Sequence, residues 1–271
     1  MMIEIKNLKF RYEKQPDLFT GLTLSEKAGS IVGLLGKNGA GKSTLLKLIT
    51  GLLAAPDGTL TIMGETPIKR HPAFLEEVYF IPEEYDLPPV KISEFVKANA
   101  LFYPRFDREK LRKILTDFEL NANSRLSKLS YGQRKKFLIA FALSTNCKLL
   151  VLDEPTNGLD IPSKSVFRRV VASSLGEDQL VIISTHQVKD VENLIDKILV
   201  IDQGQIIFSQ NLWDISGKYA FATVPYLEKT NCLYHEVAPG GFKIIKPAEK
   251  SRTEVDIELL FNAAINGVKL N

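Results

Sequence analysis

The chain has 271 residues, of which 45% are apolar and 25% charged, and its formal net charge at pH 7 is +3. This composition is typical of a globular protein with a large core, and the small net charge argues against nucleic acid as a partner. Cys147 and Cys232 lie far apart and have the spacing of neither a zinc site nor a disulfide framework, so a reducing cytosol is expected.

No apolar run of the sequence is long enough to cross a bilayer as a helix, which takes roughly 20 residues. The runs at 148–152 and 180–183 are far shorter than that. Residues 1–6 predict a strand and lack the basic-then-apolar layout of a signal peptide. If the function involves a membrane, another protein is expected to span it.

Short apolar runs predict the sheets of the chain. Near the N-terminus, two short antiparallel strands are predicted from Ile3, Ile5, Leu8, Phe10, Leu22 and Leu24. Farther along, apolar runs alternate with helical patterns at 31–35, 78–81, 149–152, 180–184 and 198–201. This alternation predicts an α/β fold whose mostly parallel sheet is covered by helices on both faces. Asp202-Gln203-Gly204 predicts a hairpin that joins the last run to 206–208.

Residues 88–128 have an all-helical pattern instead. Ser93 can cap a helix that Pro104 ends, and Asp107 can cap a second helix. The second helix has apolar residues at i, i+3, i+4 and i+7, namely Leu111, Ile114, Leu115 and Phe118. We therefore expect a helical insert at about 88–128 within a larger domain of residues 1–210.

The alternation of strands and helices fades beyond residue 210. Pro239-Gly240-Gly241 predicts a turn, and residues 254–265 predict a final helix. We expect residues 211–271 to form a small C-terminal accessory region.

A glycine-rich loop follows the predicted strand at 31–35 and opens a helix. Its Gly-x-x-x-x-Gly-Lys-Ser pattern, in a strand, loop and helix setting, is typical of the sheet core of P-loop NTPases. The expected nucleotide-binding residues are Gly36, Asn38, Gly39, Gly41, Lys42, Ser43 and Thr44. Lys42 is expected to neutralise the β- and γ-phosphates, and the Ser43 hydroxyl to bind Mg²⁺. The alternative is a glycine-rich turn that only caps a helix.

Two carboxylates end the apolar run at 149–152. Asp153 and Glu154 therefore lie where open α/β sheets bind their ligands, at the carboxyl end of a parallel strand. Asp153 suits the Mg²⁺ shell, and Glu154 suits a general base that polarises the attacking water. The structural alternative is a polar exit from the strand into the turn that follows.

The segment Leu129-Ser130-Tyr131-Gly132-Gln133 begins a helix that runs to about residue 144. Ser130 with Gln133 three residues later is a capping box, which needs no ligand. The functional alternative is an anion site, because a helix N-terminus with a hydroxyl and a glycine can bind phosphate. The position between the phosphate loop and the acidic strand favours the anion site.

With these motifs in this order, residues 1–210 resemble the nucleotide-binding subunits of ABC transporters. In that family two subunits pack head to tail around ATP. The resemblance implies that Ser130 and Gly132 contact ATP bound by the partner, and that Tyr12 stacks on adenine. It also implies a D-loop at Gly158-Leu159-Asp160, with Asp160 at the nucleotide, and a catalytic switch histidine at His186. Taken alone, His186 and Tyr12 are equally compatible with structural roles.

The chain departs from the family pattern at two positions. Tyr131 stands where the family has glycine, so its ring must point away from the phosphate or add a contact. Glu83 stands where the family has glutamine. A carboxylate there can still bind Mg²⁺, but it adds negative charge beside the γ-phosphate.

The resemblance implies an ATPase that uses ATP and Mg²⁺ to drive transport, most similar to exporter-type subunits. The expected partners are a second ATP-binding subunit and a transmembrane permease, which the segment 83–90 contacts at the cytoplasmic face of the membrane. The alternatives are a soluble ABC-type ATPase that acts on ribosomes or DNA, and a small-molecule kinase. A single ATPase core without sustained heptads disfavours the former, and the helix at Ser130 disfavours the latter.

Overall fold

The computed structural model describes residues 1–227, 232–248 and 252–270, so part of the predicted accessory region lies outside the described residues. The strands are β1 Ile3–Arg11, β2 Asp17–Glu26, β3 Ser30–Leu35, β4 Asp57–Ile62, β5 Val78–Ile81, β6 Leu149–Asp153, β7 Leu180–Thr185, β8 Lys197–Asp202, β9 Gln205–Asn211, β10 Tyr219–Val224, β11 Tyr234–Ala238 and β12 Gly241–Pro247. The α-helices are α1 Lys42–Ile49, α2 Pro72–Leu75, α3 Ile92–Asn99, α4 Arg108–Asp117, α5 Tyr131–Ser144, α6 Ile161–Ala172, α7 Leu212–Lys218 and α8 Ile257–Ile265.

The central sheet has the strand order β5-β6-β7-β3-β8-β9 and is parallel except for the β8/β9 hairpin. Its strand β6 is buried along its whole length. Leu149 and Val151 pack in one apolar core, whereas Leu150 and Leu152 pack in a second core with α5. A strand that is buried on both faces has a continuous apolar sequence. The predicted α/β fold and the predicted hairpin are confirmed.

Two antiparallel sheets flank this core. Strands β2-β1-β4 form the predicted N-terminal sheet, and β10-β12-β11 form the sheet of the accessory region, with its turn after Ala238. Helix α8 packs against this second sheet and also against the turn Val188–Asp190, where Lys189 Nζ lies 3.6 Å from Glu258 Oε2. The final helix begins at Ile257 rather than at 254, because the Asp256 carboxylate caps it by accepting the Leu259 N–H at 3.0 Å.

The helical insert consists of α3 and α4, and one predicted cap is wrong. Asp107 caps α4 as predicted, accepting N–H groups of the first turn. Ser93, by contrast, lies inside α3. The open N–H groups of Ile92 and Ser93 donate instead to carbonyls of Ser124 and Ala122, at 3.0 and 2.9 Å. A neighbouring loop thus replaces the side-chain cap.

Over the described ranges, none of the helices has the length and apolar character that crossing a membrane requires.

One ion pair lies inside the fold and gives a test of its stability. Lys197 Nζ in β8 lies 2.7 and 2.9 Å from the carboxylate oxygens of Glu26, which is 3% exposed. Burial raises the pKa of Glu26, and Lys197 opposes that rise. We expect Lys197→Met to lower the free energy of unfolding at pH 7 by about 3 kcal/mol, because it leaves a buried carboxylate unpaired.

The pH dependence follows from the direction of this pKa change. Burial raises the folded-state pKa of Glu26. Above that raised pKa the carboxylate is charged, and leaving it unpaired lowers the free energy of unfolding. As the pH falls, the group is protonated and this loss of stability disappears. In urea unfolding, the free energy of unfolding of Lys197→Met should therefore fall less far below that of wild type at pH 5 than at pH 7. Lys6→Met, which removes an exposed pair with Glu4, is the control and should change little. Equal deficits at both pH values would contradict this account.

Candidate functional site

The phosphate loop joins β3 to α1 and curves around the amine of Lys42. This side chain is 8% exposed, and its Nζ donates to the carbonyls of Gly36 at 2.8 Å and Lys37 at 3.3 Å. Burial lowers the pKa of Lys42, and the nearby carboxylates, chiefly Glu154, oppose that change. The loop therefore holds a cation at its centre.

Gly41 makes the transition from this loop into α1. Its φ is +100°, and a Cβ atom there would lie 2.7 Å from the ring of Phe19. Only glycine fits without strain. Gly41 also has no side chain that could cap the first N–H groups of α1. Such a helix start suits an anion.

Asp153 and Glu154 lie at the carboxyl end of β6, next to β7. Ser184 in β7 contacts both of them: its hydroxyl donates to Asp153 Oδ1 and accepts the Glu154 N–H at 3.2 Å. Glu154 has a φ of +46°, and its N–H also donates to the Ser184 carbonyl at 3.1 Å. These bonds hold the chain in a sparsely populated conformation that turns the glutamate out of the strand.

His186 follows β7 and contacts Glu154 directly. His186 Nδ1 lies 2.8 Å from Glu154 Oε1, whereas the buried Oε2 atom has no hydrogen-bond partner among the described residues. Burial raises the pKa of Glu154, and the contact with His186 lowers it. One carboxylate oxygen is thus fixed by the histidine, and the other has no competing donor among the described residues, which suits a proton acceptor.

One cavity of about 650 Å³ unites these groups. Its lining includes Tyr12, Asn38, Gly39, Gly41, Lys42, Ser43, Thr44, Glu83, Glu154 and His186. The hydroxyl groups of Tyr12 and Thr44 lie 3.0 Å apart, which ties the aromatic ring to the start of α1. The predicted residue Gly36 contacts the lining directly, because its carbonyl accepts a bond from Lys42. Asp153 is linked to it indirectly, because Ser184 contacts both Asp153 and Glu154.

Oxygen atoms of the kind that Mg²⁺ prefers lie at this cavity. The Ser43 hydroxyl and the Glu83 carboxylate belong to its lining, and the Asp153 carboxylate lies beside it, bonded to Ser184. Among the described residues, no cluster of three or more His, Cys, Asp or Glu side chains could hold a metal ion alone. In proteins Mg²⁺ is commonly bound by one or two carboxylates while substrate phosphates and water complete its shell.

Ser130 and Gly132 lie outside this cavity, at the N-terminus of α5. The Ser130 hydroxyl accepts the Gln133 N–H at 3.2 Å, and Gln133 Oε1 accepts the Ser130 N–H at 3.0 Å, which confirms the capping box. A Cβ atom at Gly132 would lie 2.5 Å from the carbonyl oxygen of Gly158, so close packing explains this glycine.

Asp160 also lies outside the cavity, where it caps α6. Its Oδ1 accepts the Ser163 N–H at 2.9 Å, and the bonds to Ser163 lower its pKa. This cap fixes the start of α6 immediately after Gly158 and Leu159.

The sequence does not reveal two further residues of this site. Ser184 contacts both strand-end residues Asp153 and Glu154, and Asn157 Nδ2 donates to Glu83 Oε1 at 3.1 Å. Ser184 is an ordinary polar residue near the end of β7, and Asn157 lies in the turn after β6. Neither has a motif of its own, so only the pairing of β6 with β7 and the position of Glu83 identify them.

The Tyr131 ring forms contacts within its own chain. Its hydroxyl donates to the Glu83 carbonyl at 2.9 Å, and its ring stacks on that of Tyr85 with centroids 5.7 Å apart. These contacts join α5 to the segment after β5.

Comparison with known proteins places this geometry in a family. The family model described as ABC transporter matches residues 19–157. The chain is 25% identical to the ABC transporter ATP-binding protein YtrB of Bacillus subtilis over 98% of this chain and 99% of that protein. It is 33% identical to the Nod factor export ATP-binding protein I of Burkholderia orbicola over 76% of this chain and 69% of that protein.

A solved structure gives the same result. The protein described as the ATP-binding subunit of an ABC transporter superposes with a TM-score of 0.71 and 25% identity, over 79% of this chain and 92% of that one. The α/β core thus agrees with both kinds of comparison. The chain belongs to the ABC transporter family and is an ATP-binding ATPase subunit of it.

Proposed function

We propose that this chain hydrolyses ATP as a dimer and drives export through a separate membrane-spanning protein. In this proposal residues 1–210 form the ATP-binding domain, with the helical insert at about 88–128, and residues 211–271 form the accessory region. The subunit binds at the cytoplasmic face of the membrane. The name of the Nod factor export relative supports the direction of transport.

A single observation carries the proposal of a dimer. Lys42, Glu154 and His186 share one cavity, whereas Ser130 and Gly132 lie outside it at the start of α5. The N-terminus of α5 suits a phosphate, but within one chain it does not line the cavity that contains the phosphate loop. A second copy would bring its own α5 to that loop, so that each ATP is bound by both chains. The exposed Ile161, 84% accessible beside Asp160, supports contact with another copy.

The proposal assigns a role to each residue of the site. Lys42 neutralises the β- and γ-phosphates, and Glu154 Oε2 accepts the proton of the attacking water. His186 orients Glu154 and senses the γ-phosphate, while Tyr12 stacks on adenine. Asp160 lies close to the nucleotide in the dimer.

The Ser43 hydroxyl, Asp153 and Glu83 would hold Mg²⁺, which would supply positive charge to the phosphate oxygens. Asn157 fixes the carboxylate of Glu83 by donating to Oε1, which makes that oxygen a positioned ligand rather than a mobile one.

A groove beside the helical insert supports a protein partner. This cavity of about 600 Å³ is lined by residues of the insert, of α2 and of β5. Its rim carries the exposed apolar residues Leu52, Leu101 and Phe102, which are 50%, 79% and 67% accessible. Exposed apolar patches of this kind mark interaction sites. We propose that the membrane-spanning partner binds here and along 83–90, and that it copurifies with the chain.

Crosslinking between copies tests the dimer. Asn38 is exposed on the phosphate loop, so Asn38→Cys and Ser130→Cys should form a disulfide between chains when ATP and Mg²⁺ are present. Cys232→Ser removes the partly exposed native thiol, and Cys147 is buried. The matched control pairs Asn38→Cys with Lys113→Cys, an exposed residue of α4.

The expected result is a crosslinked dimer with the first pair only, and only with nucleotide. If neither cysteine pair gives a crosslinked dimer, and the protein keeps full ATPase activity at every dilution, the proposal of a dimer is wrong.

A further inference from the structure

Helix α5 and the segment after β5 are joined by contacts that converge on one carbonyl oxygen. The Glu83 carbonyl accepts the Tyr131 hydroxyl at 2.9 Å and Lys135 Nζ at 3.2 Å. Tyr131 is the first residue of α5, and Lys135 lies one turn later, so both side chains leave the same face of the helix.

Aromatic rings enclose the ammonium group of Lys135. Its Nζ lies 4.9 Å from the ring centroid of Tyr85 and 5.6 Å from that of Tyr131, and the two rings stack at an interplanar angle of 20°. The residue as a whole is 0% exposed. A buried lysine that is bound by carbonyl oxygens and aromatic faces is fixed in place. We call Tyr85, Tyr131, Lys135 and the Glu83 carbonyl the Glu83 clamp.

The clamp joins two parts of the nucleotide machinery. Glu83 lines the cavity that contains Lys42 and Glu154 of its own chain. Tyr131 lies between Ser130 and Gly132, which we propose contact the nucleotide of the other copy. Its ring also packs against Gly158, where a Cβ atom would lie 2.5 Å from Tyr131 Cδ1. A displacement of α5 therefore displaces the backbone of Glu83.

We propose that Tyr131 and Lys135 are positioning residues that couple the two ATP sites of the dimer through the Glu83 carbonyl. This inference rests on the proposed dimer and goes beyond it, since it assigns roles to two side chains that the proposed function leaves without one. Binding of α5 to the ATP of one site sets the position of Glu83 in the other. The coupling uses rigid contacts inside one chain, and hydrolysis at the two sites is linked.

Two substitutions test the clamp without removing a nucleotide contact. Tyr131→Phe keeps the ring and its stacking on Tyr85 but loses the donor to the Glu83 carbonyl. Lys135→Met keeps a flexible apolar side chain of similar length but loses the ammonium group. Each should lower kcat for ATP hydrolysis about tenfold, the effect of one hydrogen bond to a positioned group, with ATP affinity unchanged within about twofold.

Because both substitutions act on one carbonyl oxygen, their effects should not add. The double variant should have a kcat close to that of either single variant. Lys136→Met, on the neighbouring residue outside the clamp, is the matched control and should behave as wild type. Thermal unfolding is measured in parallel, and assays are run well below each midpoint, so that a purely structural effect changes the midpoint but leaves kcat intact.

The outcomes separate this inference from the proposed function. If wild type forms an ATP-dependent dimer and either variant keeps the wild-type kcat, the clamp has no coupling role. If the fold-loss of kcat in the double variant equals the product of the two single losses, the two side chains do not act through the same carbonyl oxygen. If wild type neither dimerises nor hydrolyses ATP, the proposed function itself fails.

Discussion

Glu154→Gln is expected to lower the ATPase kcat by at least about 100-fold while ATP binding is kept. The amide keeps the shape of the side chain and can still contact His186, but it cannot accept a proton from water. The N–H bonds from Glu154 to Ser184 are those of the backbone and remain. Steady-state hydrolysis and equilibrium ATP binding measure the two effects, and size-exclusion chromatography with ATP should show an accumulated dimer.

The control for this substitution is Glu109→Gln, which changes an exposed glutamate at the start of α4 in the same way. It should leave hydrolysis at the wild-type level. Full activity of the Glu154→Gln enzyme would mean that another group activates the water, and the free Oε2 atom would then have no catalytic role.

Lys42→Ala is expected to weaken nucleotide binding itself, by about 10- to 100-fold. Two effects act together. The variant loses the positive charge that the phosphates contact, and the loop loses the bonds from Nζ to the carbonyls of Gly36 and Lys37. Titration with a fluorescent ATP analogue measures the dissociation constant directly.

Lys47→Ala gives the matched control, because Lys47 lies in the last turn of the same helix α1. Its affinity for the analogue should equal that of wild type. An unchanged dissociation constant in Lys42→Ala would show that the loop binds phosphate through its backbone alone, and the assignment of Lys42 would be wrong.

Much of the fold and of the nucleotide cavity could be predicted because the signals are local. The strand at 149–152 is a continuous apolar run that ends in Asp153 and Glu154, and this pattern alone places two carboxylates at the ligand edge of a sheet. The phosphate loop likewise carries its whole pattern within a few residues. The cavity that brings Glu154 to the phosphate loop follows from the strand order β6-β7-β3, in which the carboxyl ends of the parallel strands share one edge.

The features that were missed depend on contacts between distant segments. Lys135 and Glu83 are 52 residues apart, so no periodicity connects them. The Ser93 cap was a local prediction that a tertiary contact replaced, since carbonyls of Ala122 and Ser124 satisfy the same N–H groups. The order β10-β12-β11 was equally hidden, because β10 pairs with β12 across a long excursion of the chain.

Helix α8 limits how this protein can be shortened. Leu259 and Leu260 of α8 belong to the same apolar core as Ile198 and Val200 in β8, next to the phosphate-loop strand. A fragment cut near residue 210 would retain all the groups that line the ATP cavity. It would, however, expose apolar side chains of the central sheet that α8 covers, beside the loop that contains His186. The predicted boundary near residue 210 therefore does not separate independently folding units, and truncation there should give an aggregation-prone fragment.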